Sequence, residues 1–286
     1  MLAAAAYAAY HFAGKSPQEA GCTVRSGDET LKLTQSQAAN AATIAAVGTS
    51  RGLPVRAVTI ALATAMQESR LDNLDHGDRD SLGLFQQRPS QGWGTEQQVQ
   101  DPVYSTNAFY DRLVRIKGYA DMPLTVAAQK VQKSGFPDAY AQHEADATLL
   151  SAVLVGRKPG ALNCTTGADR ADSAGGAPGD TALVATALKR EFGTGARPRT
   201  AGEPARTVRV PAAPAAGGAA GDTIRRGWQL AQWSVAHAHD LRVSTVSFAG
   251  MQWQAAHSGR GWREAEGAGG SPDGAGGGFV RITVAQ

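Results

Sequence analysis

The sequence predicts an α+β chain: an all-α N-terminal domain, then a linker, then a small α+β C-terminal module. Three observations carry that expectation. Between residues 33 and 155 apolar residues recur at helical spacing, punctuated by capping and stop signals. Residues 165–222 are rich in Gly, Ala, Pro and charged residues and offer little to bury. Beyond Ile224 a single helical stripe gives way to apolar residues that alternate as strands do. The expected segments are a leader or anchor remnant over 1–21, the helical domain over 22–164, the linker over 165–222 with a short helix at 181–192, and the module over 223–286.

The elements follow in order. Residues 2–13 form an apolar run, shorter than the ~20 residues that span a bilayer. They read as the remnant of a longer signal or anchor, or as a short leader. Residues 33–47 read as a helix, with Thr34 and Gln37 at capping-box spacing and Arg51-Gly52 as its stop. Pro54 suits the first turn of a second helix running to about Ser69. Residues 70–101 are polar and irregular, a loop of a length that is usually functional. Asp101-Pro102 opens a third helix to about Lys117, with Val103, Phe109, Tyr110, Leu113 and Ile116 facing the core. Two more helices, 125–133 and 137–155, are separated by Gly135-Phe136-Pro137. In the module Ile224, Trp228, Ala231, Val235 and Ala238 keep a helical stripe. The pairs Val246/Phe248 and Met251/Trp253 and the set Val280/Ile282/Val284 alternate, with Ala249-Gly250 as a hairpin turn.

Composition narrows the function. A net charge of +3 over 286 residues gives no case for nucleic acid. The two cysteines, Cys22 and Cys164, bracket the helical domain and form no CxxC. They are expected to pair in a disulfide, the alternative being two free thiols. No metal or organic cofactor is implied. His237 and His239 sit two apart on a helix and do not share a face, and the glycine-rich stretch 267–278 follows no strand-to-helix transition. Trp228 and Trp253 fit core patterns, which leaves Trp233 and Trp262 as candidates for a sugar-binding surface.

The chemistry concentrates at Glu68. It closes a segment, 54–66, that is apolar on nearly every face. Desolvation makes a carboxyl there costly to ionise, so its pKa rises and it can hold a proton for a leaving oxygen. A polar loop carrying Asp75, Asp78 and Asp80 follows, then Ser81-Leu82-Gly83-Leu84-Phe85-Gln86. Gly83 would let the backbone approach a sugar, and Gln86 and Gln87 would hydrogen-bond it. Asp80 and Asp78 are the candidate second catalytic carboxylates, or else turn caps. Arg88 would meet a carboxylate or phosphate, and Trp93 would either stack on a sugar or plug the loop.

Glu68-Ser69, the Asp/Gly-rich loop and Ser81 to Gln86 together resemble the lysozyme-like superfamily, in its soluble lytic transglycosylase and goose-type lysozyme branches. The likeness covers about residues 34–155 and extends to exported proteins of high-GC Gram-positive bacteria. It implies an exported enzyme that cleaves the glycan strands of peptidoglycan, with Glu68 as general acid. Ser69, Ser81, Gly83, Phe85, Gln86, Gln87, Arg88 and Trp93 would then be substrate-binding. The apolar N-terminal run independently points to export and so to an extracellular or cell-envelope location, either secreted or held at the membrane by a single N-terminal anchor through an upstream segment; the partner of the C-terminal module stays open. Transglycosylases carry an "AYN-x-G" string late in the domain. Here residues 127–136 contain no Tyr-Asn pair, and Gln129 or Gln132 would supply the polar contact. The alternative is a catalytically inactive lysozyme-like protein that binds peptidoglycan or scaffolds the envelope.

Overall fold

The computed structural model describes residues 20–135, 138–166, 178–200, 203–213, 220–265 and 278–286. The expected leader, Phe136-Pro137, most of the 165–180 linker and all but the last residue of the 267–278 glycine-rich stretch lie outside them.

The N-terminal half is not all helical, contrary to expectation. Strands β1 (Gly21–Ser26) and β2 (Glu29–Leu33) form a hairpin, and β3 (Leu162–Thr165) returns to β1's other edge, giving the antiparallel order β2-β1-β3. Ser26 pairs with Glu29, so the loop is two residues long, and Gly27 takes the positive φ of 61° that its first position needs. The short alternation of Cys22 and Val24 was hidden beside a strong helix signal. Cys22 lies opposite Cys164 in the β1–β3 register, and the two are joined by a disulfide.

Helix α1 (Gln35–Ser50) begins at the capping box expected for it: Thr34 Oγ1 accepts from the Gln37 amide, and Gln37 Oε1 accepts from the Thr34 amide. Helix α2 (Val55–Ser69) is buried along almost its whole length from Ala57 to Met66 and forms the centre of the core. A one-turn helix α3 (Glu96–Val99) precedes α4 (Pro102–Leu113), whose N-cap Asp101 accepts from the Val103 and Tyr104 amides. Helix α4 stops four residues before the expected Lys117. Then come α5 (Leu124–Gln132), a 3-10 turn (Ala139–His143) and α6 (Glu144–Leu154), so the helix expected over 137–155 divides in two.

Helix α7 (Thr181–Phe192) matches its expected span and is N-capped by Asp180. The remaining elements are β4 (Thr207–Pro211), α8 (Ala220–Ala236), β5 (Val243–Phe248), β6 (Met251–Gln254), β7 (Arg263–Glu264) and β8 (Phe279–Val284). Together the strands form an antiparallel five-stranded sheet of order β4-β8-β5-β6-β7. Phe248 pairs with Met251 across Ala249-Gly250, both at positive φ (49° and 75°), as a tight hairpin requires.

The second correction concerns separateness: helix α8 packs against α1, α6, β3 and β5, so the C-terminal elements share one core with the N-terminal ones. Gly156, at φ 80°, permits this, because a Cβ there would lie 1.9 Å from the Arg225 carbonyl oxygen of α8. Gln232 of α8 stitches the interface, accepting from the Ala161 and Leu162 amides and donating to the Val153 carbonyl. Asn163 of β3 accepts from Trp253 Nε1 and donates to the Ser258 carbonyl. Trp233 is buried and donates to Glu191, away from any sugar-facing surface, while the partly buried Trp262 donates to the Leu162 carbonyl.

Membrane attachment gains no support from the described residues, among which no helix is long and apolar enough to cross a membrane; the N-terminal segment expected to carry it lies outside them.

Candidate functional site

Helix α2 carries Glu68 to a corner of the core. It ends because Arg70 and Leu71 both adopt positive φ (57° and 66°), their amides turning back to the Met66 and Ala65 carbonyls. Neither is glycine, so each costs about 1 kcal/mol or more of backbone strain. Burial of the Leu71 side chain holds the turn in place.

Three segments converge on that corner. The Ala139–His143 turn brings Tyr140, whose hydroxyl donates to Glu68 Oε1 at 2.6 Å. Helix α5 brings Gln132, which hydrogen-bonds the Glu68 side chain and donates to the Phe85 carbonyl at 2.8 Å. The third segment is the 82–87 hairpin, where Leu82 and Gln87 exchange backbone hydrogen bonds of 3.0 Å.

Burial is the dominant influence on Glu68 and pushes its carboxyl above the usual range; the Tyr140 and Gln132 hydrogen bonds favour the anion and pull back against it. The Tyr140 hydroxyl is raised in turn by its own burial and by the Glu68 charge, so it stays protonated and acts as the donor. Gln67, one residue earlier, clamps the turn: its Oε1 accepts from Gln142 Nε2 at 2.9 Å and lies 3.0 Å from His143 Nε2.

The other sequence-derived residues are mostly engaged within the protein. Ser69 is buried and shares its hydroxyl between the Ala65 and Leu84 carbonyls, which fastens α2 to the hairpin. Ser81 is buried, with its amide on the Asp78 carbonyl. Gly83 has φ 76°, and a Cβ there would meet the Val99 carbonyl oxygen at 2.4 Å, so the close approach it allows is to α3. Phe85 stacks on Phe109 with ring centroids 4.7 Å apart. The Gln86 side chain folds back onto the Gly83 and His76 carbonyls. Gln87 is buried and donates to the Ser105 carbonyl. Trp93 is buried beneath the Arg112 guanidinium, 3.3 Å from its ring centre, which is the plug arrangement.

Asp80 is spoken for: Oδ1 accepts from Arg88 Nε at 2.8 Å and Oδ2 from the Ser90 amide at 2.7 Å. Those bonds hold its carboxyl far below the usual range. Arg88 is thereby engaged too. Asp78 is exposed, 4.0 Å from Arg79, and Asp75 pairs with His76 at 2.8 Å on the surface. Among the described residues no cluster of three or more His, Cys, Asp and Glu is placed to hold a metal ion.

Tyr140 was missed because the family's cleft tyrosine was sought within 127–136. It lies just past the Gly135-Phe136-Pro137 break, a lone tyrosine in a polar stretch ahead of α6, and that is the signal that could have found it.

The class of protein thus defined is a mixed α/β chain with a desolvated, tyrosine-bonded glutamate at the end of its central helix. Residues 212–274 match the family described as VldE, C-terminal domain, which covers α8 and β5 to β7. Comparison with curated proteins gives no match. The matched segment lies outside the site, so it lends no support to the lysozyme resemblance or to a peptidoglycan partner.

Proposed function

We propose that the chain is a glycan-strand cleaving enzyme of muramidase or lytic-transglycosylase type, with Glu68 as the general acid. One observation carries this reading: a carboxyl whose pKa is raised by burial at the end of an apolar helix, held in a single orientation by the Tyr140 hydroxyl. A protonated Glu68 would give its proton to the glycosidic oxygen as the bond to the anomeric carbon breaks.

Asp80, with both oxygens engaged and its proton affinity low, is a poor general base, and Asp78 lies in open solvent. That favours a route in which the substrate's own N-acetyl oxygen attacks the anomeric carbon. Glu68 would then take back a proton, from water to give a hydrolysed product or from a sugar hydroxyl to give an anhydro end. Tyr140 would fill the place that a cleft tyrosine occupies in the transglycosylases.

The alternative, an inactive protein with a lysozyme-like cleft, draws on the inward engagement of Ser69, Gln86, Gln87 and Arg88. Mass spectrometry of soluble products from purified peptidoglycan, with wild type beside Glu68→Gln, separates the two. Muropeptides released by the wild type alone support the enzyme. A mass lower by one water marks the anhydro product, and no product from folded wild type overturns the proposal.

A further inference from the structure

At the opposite end of α2 from Glu68, where Val55 is 13 residues and about 20 Å away along the helix, lies a cavity of about 440 Å³. Its walls come from the end of α1, the start of α2, the end of α6 and the first turns of α8. Arg157, Arg225 and Arg226 line it, against the single acid Asp222. Asp222 pairs with Arg225 at 2.6 Å, and among the described lining residues no other acid faces the remaining two guanidinium charges.

Arg226 is the unusual one. Its guanidinium is half-buried over the Phe192 ring, 4.5 Å from the ring centre, and Nη1 donates to Gln229 Oε1 at 2.9 Å. Gln229 is itself fixed by donating to Thr49 Oγ1. Among the described residues no carboxylate lies within ion-pair distance of Arg226 or Arg157, and Glu191, next to Phe192 in the chain, accepts from Trp233 Nε1. Burial pushes the Arg226 pKa down to about 10, so the group is still charged at neutral pH. Holding a partly desolvated cation without a counter-charge is costly, and the described residues supply only a ring face and an amide oxygen against it.

The start of α2 adds to the same field. Its N-cap is Pro54, which provides no side-chain cap; the Ala57 amide bonds the Pro54 carbonyl, while the amides of Val55, at the cavity wall, and Arg56 have no acceptor among the described residues.

We propose that this cavity binds a phosphate group, free or carried on a small organic molecule, between Arg226, Arg157 and the N-terminal amides of α2. Planar guanidinium donors and helix amides suit phosphate oxygens, and the volume exceeds what one phosphate fills. The site is independent of Glu68 and of any glycan cleavage.

The test is calorimetric titration and thermal unfolding of the full chain with inorganic phosphate, glucosamine 1-phosphate, glucosamine, and sodium chloride at matched ionic strength. Saturable binding of either phosphate, with a raised Tm, is expected, and neither glucosamine nor chloride should reproduce it. Tighter binding of the sugar phosphate identifies an organic ligand; equal binding identifies free phosphate, and both support the site. Arg226→Met should weaken binding at least tenfold. Arg157→Ala, at an exposed position with no ion pair to any described residue, should weaken it severalfold in a chain that still folds. No saturable phosphate binding, or binding unchanged in Arg157→Ala, would overturn the proposal.

Discussion

Replacing Tyr140 by Phe keeps the ring in the core and removes the one hydroxyl that touches Glu68. Because that hydroxyl donates to the carboxylate, its loss disfavours the anion, and the Glu68 pKa should move further up. A hydrogen bond to a charged group is worth about 1.5–3 kcal/mol, and since the Glu68 carboxyl is partly open to solvent the lower end applies. About 1.4 kcal/mol is tenfold in the ionisation constant. The stability consequence has a definite sign. Glu68's folded pKa already lies above its unfolded value, so it contributes stability that is fully present below about pH 4.5 and lost as pH rises through the folded pKa. Tyr140→Phe extends that window upward. Carbon-13 NMR of the glutamate carboxyls across pH, with Glu68→Gln identifying the resonance, reads the shift directly. A Glu68 titration that stays put or moves down in Tyr140→Phe would refute the assignment of Tyr140 as a donor to the charged form.

Further outcomes follow from the same structure. Replacing Cys22 and Cys164 by Ala opens a loop closed across 142 residues and should cost up to about 5 kcal/mol in denaturant unfolding. Asp80→Ala should loosen the 80–90 loop and lower Tm at neutral pH. Because the folded Asp80 pKa is depressed, its stabilisation is present above the ordinary carboxylate range and disappears as pH falls, so the Tm gap to wild type should close in acid. Gly156→Ala, with φ 80° and a Cβ 1.9 Å from the Arg225 carbonyl, should cost about 3 kcal/mol and increase hydrogen exchange in α8. Glycan cleavage assayed in that variant should fall only as far as the folded fraction does.

Sequence alone determined the elements whose causes lie within a turn or two of chain. The Thr34–Gln37 box starts α1, Asp101-Pro102 opens α4, and Ala249-Gly250 turns the β5–β6 hairpin, each signal acting over a few residues. It also singled out Glu68, because an acid closing an all-apolar helix is a local statement about desolvation. Only the tertiary structure decided what required distant partners. The β1–β2 hairpin is held by β3, whose Cys164 lies 142 residues beyond Cys22, and its short alternation specifies nothing by itself. Tyr140 reaches Glu68 from 72 residues away, and Arg88, expected to meet a ligand carboxylate or phosphate, bonds Asp80. The C-terminal elements looked like a separate module because a Gly/Ala/Pro-rich stretch precedes them. Yet helix α8 buries its apolar side against α1 and α6, and shape matching such as Gly156 under Arg225 leaves no periodic trace. Capping and periodicity are written in neighbouring residues; burial against a remote surface is written in both surfaces at once, and only the folded chain brings them together.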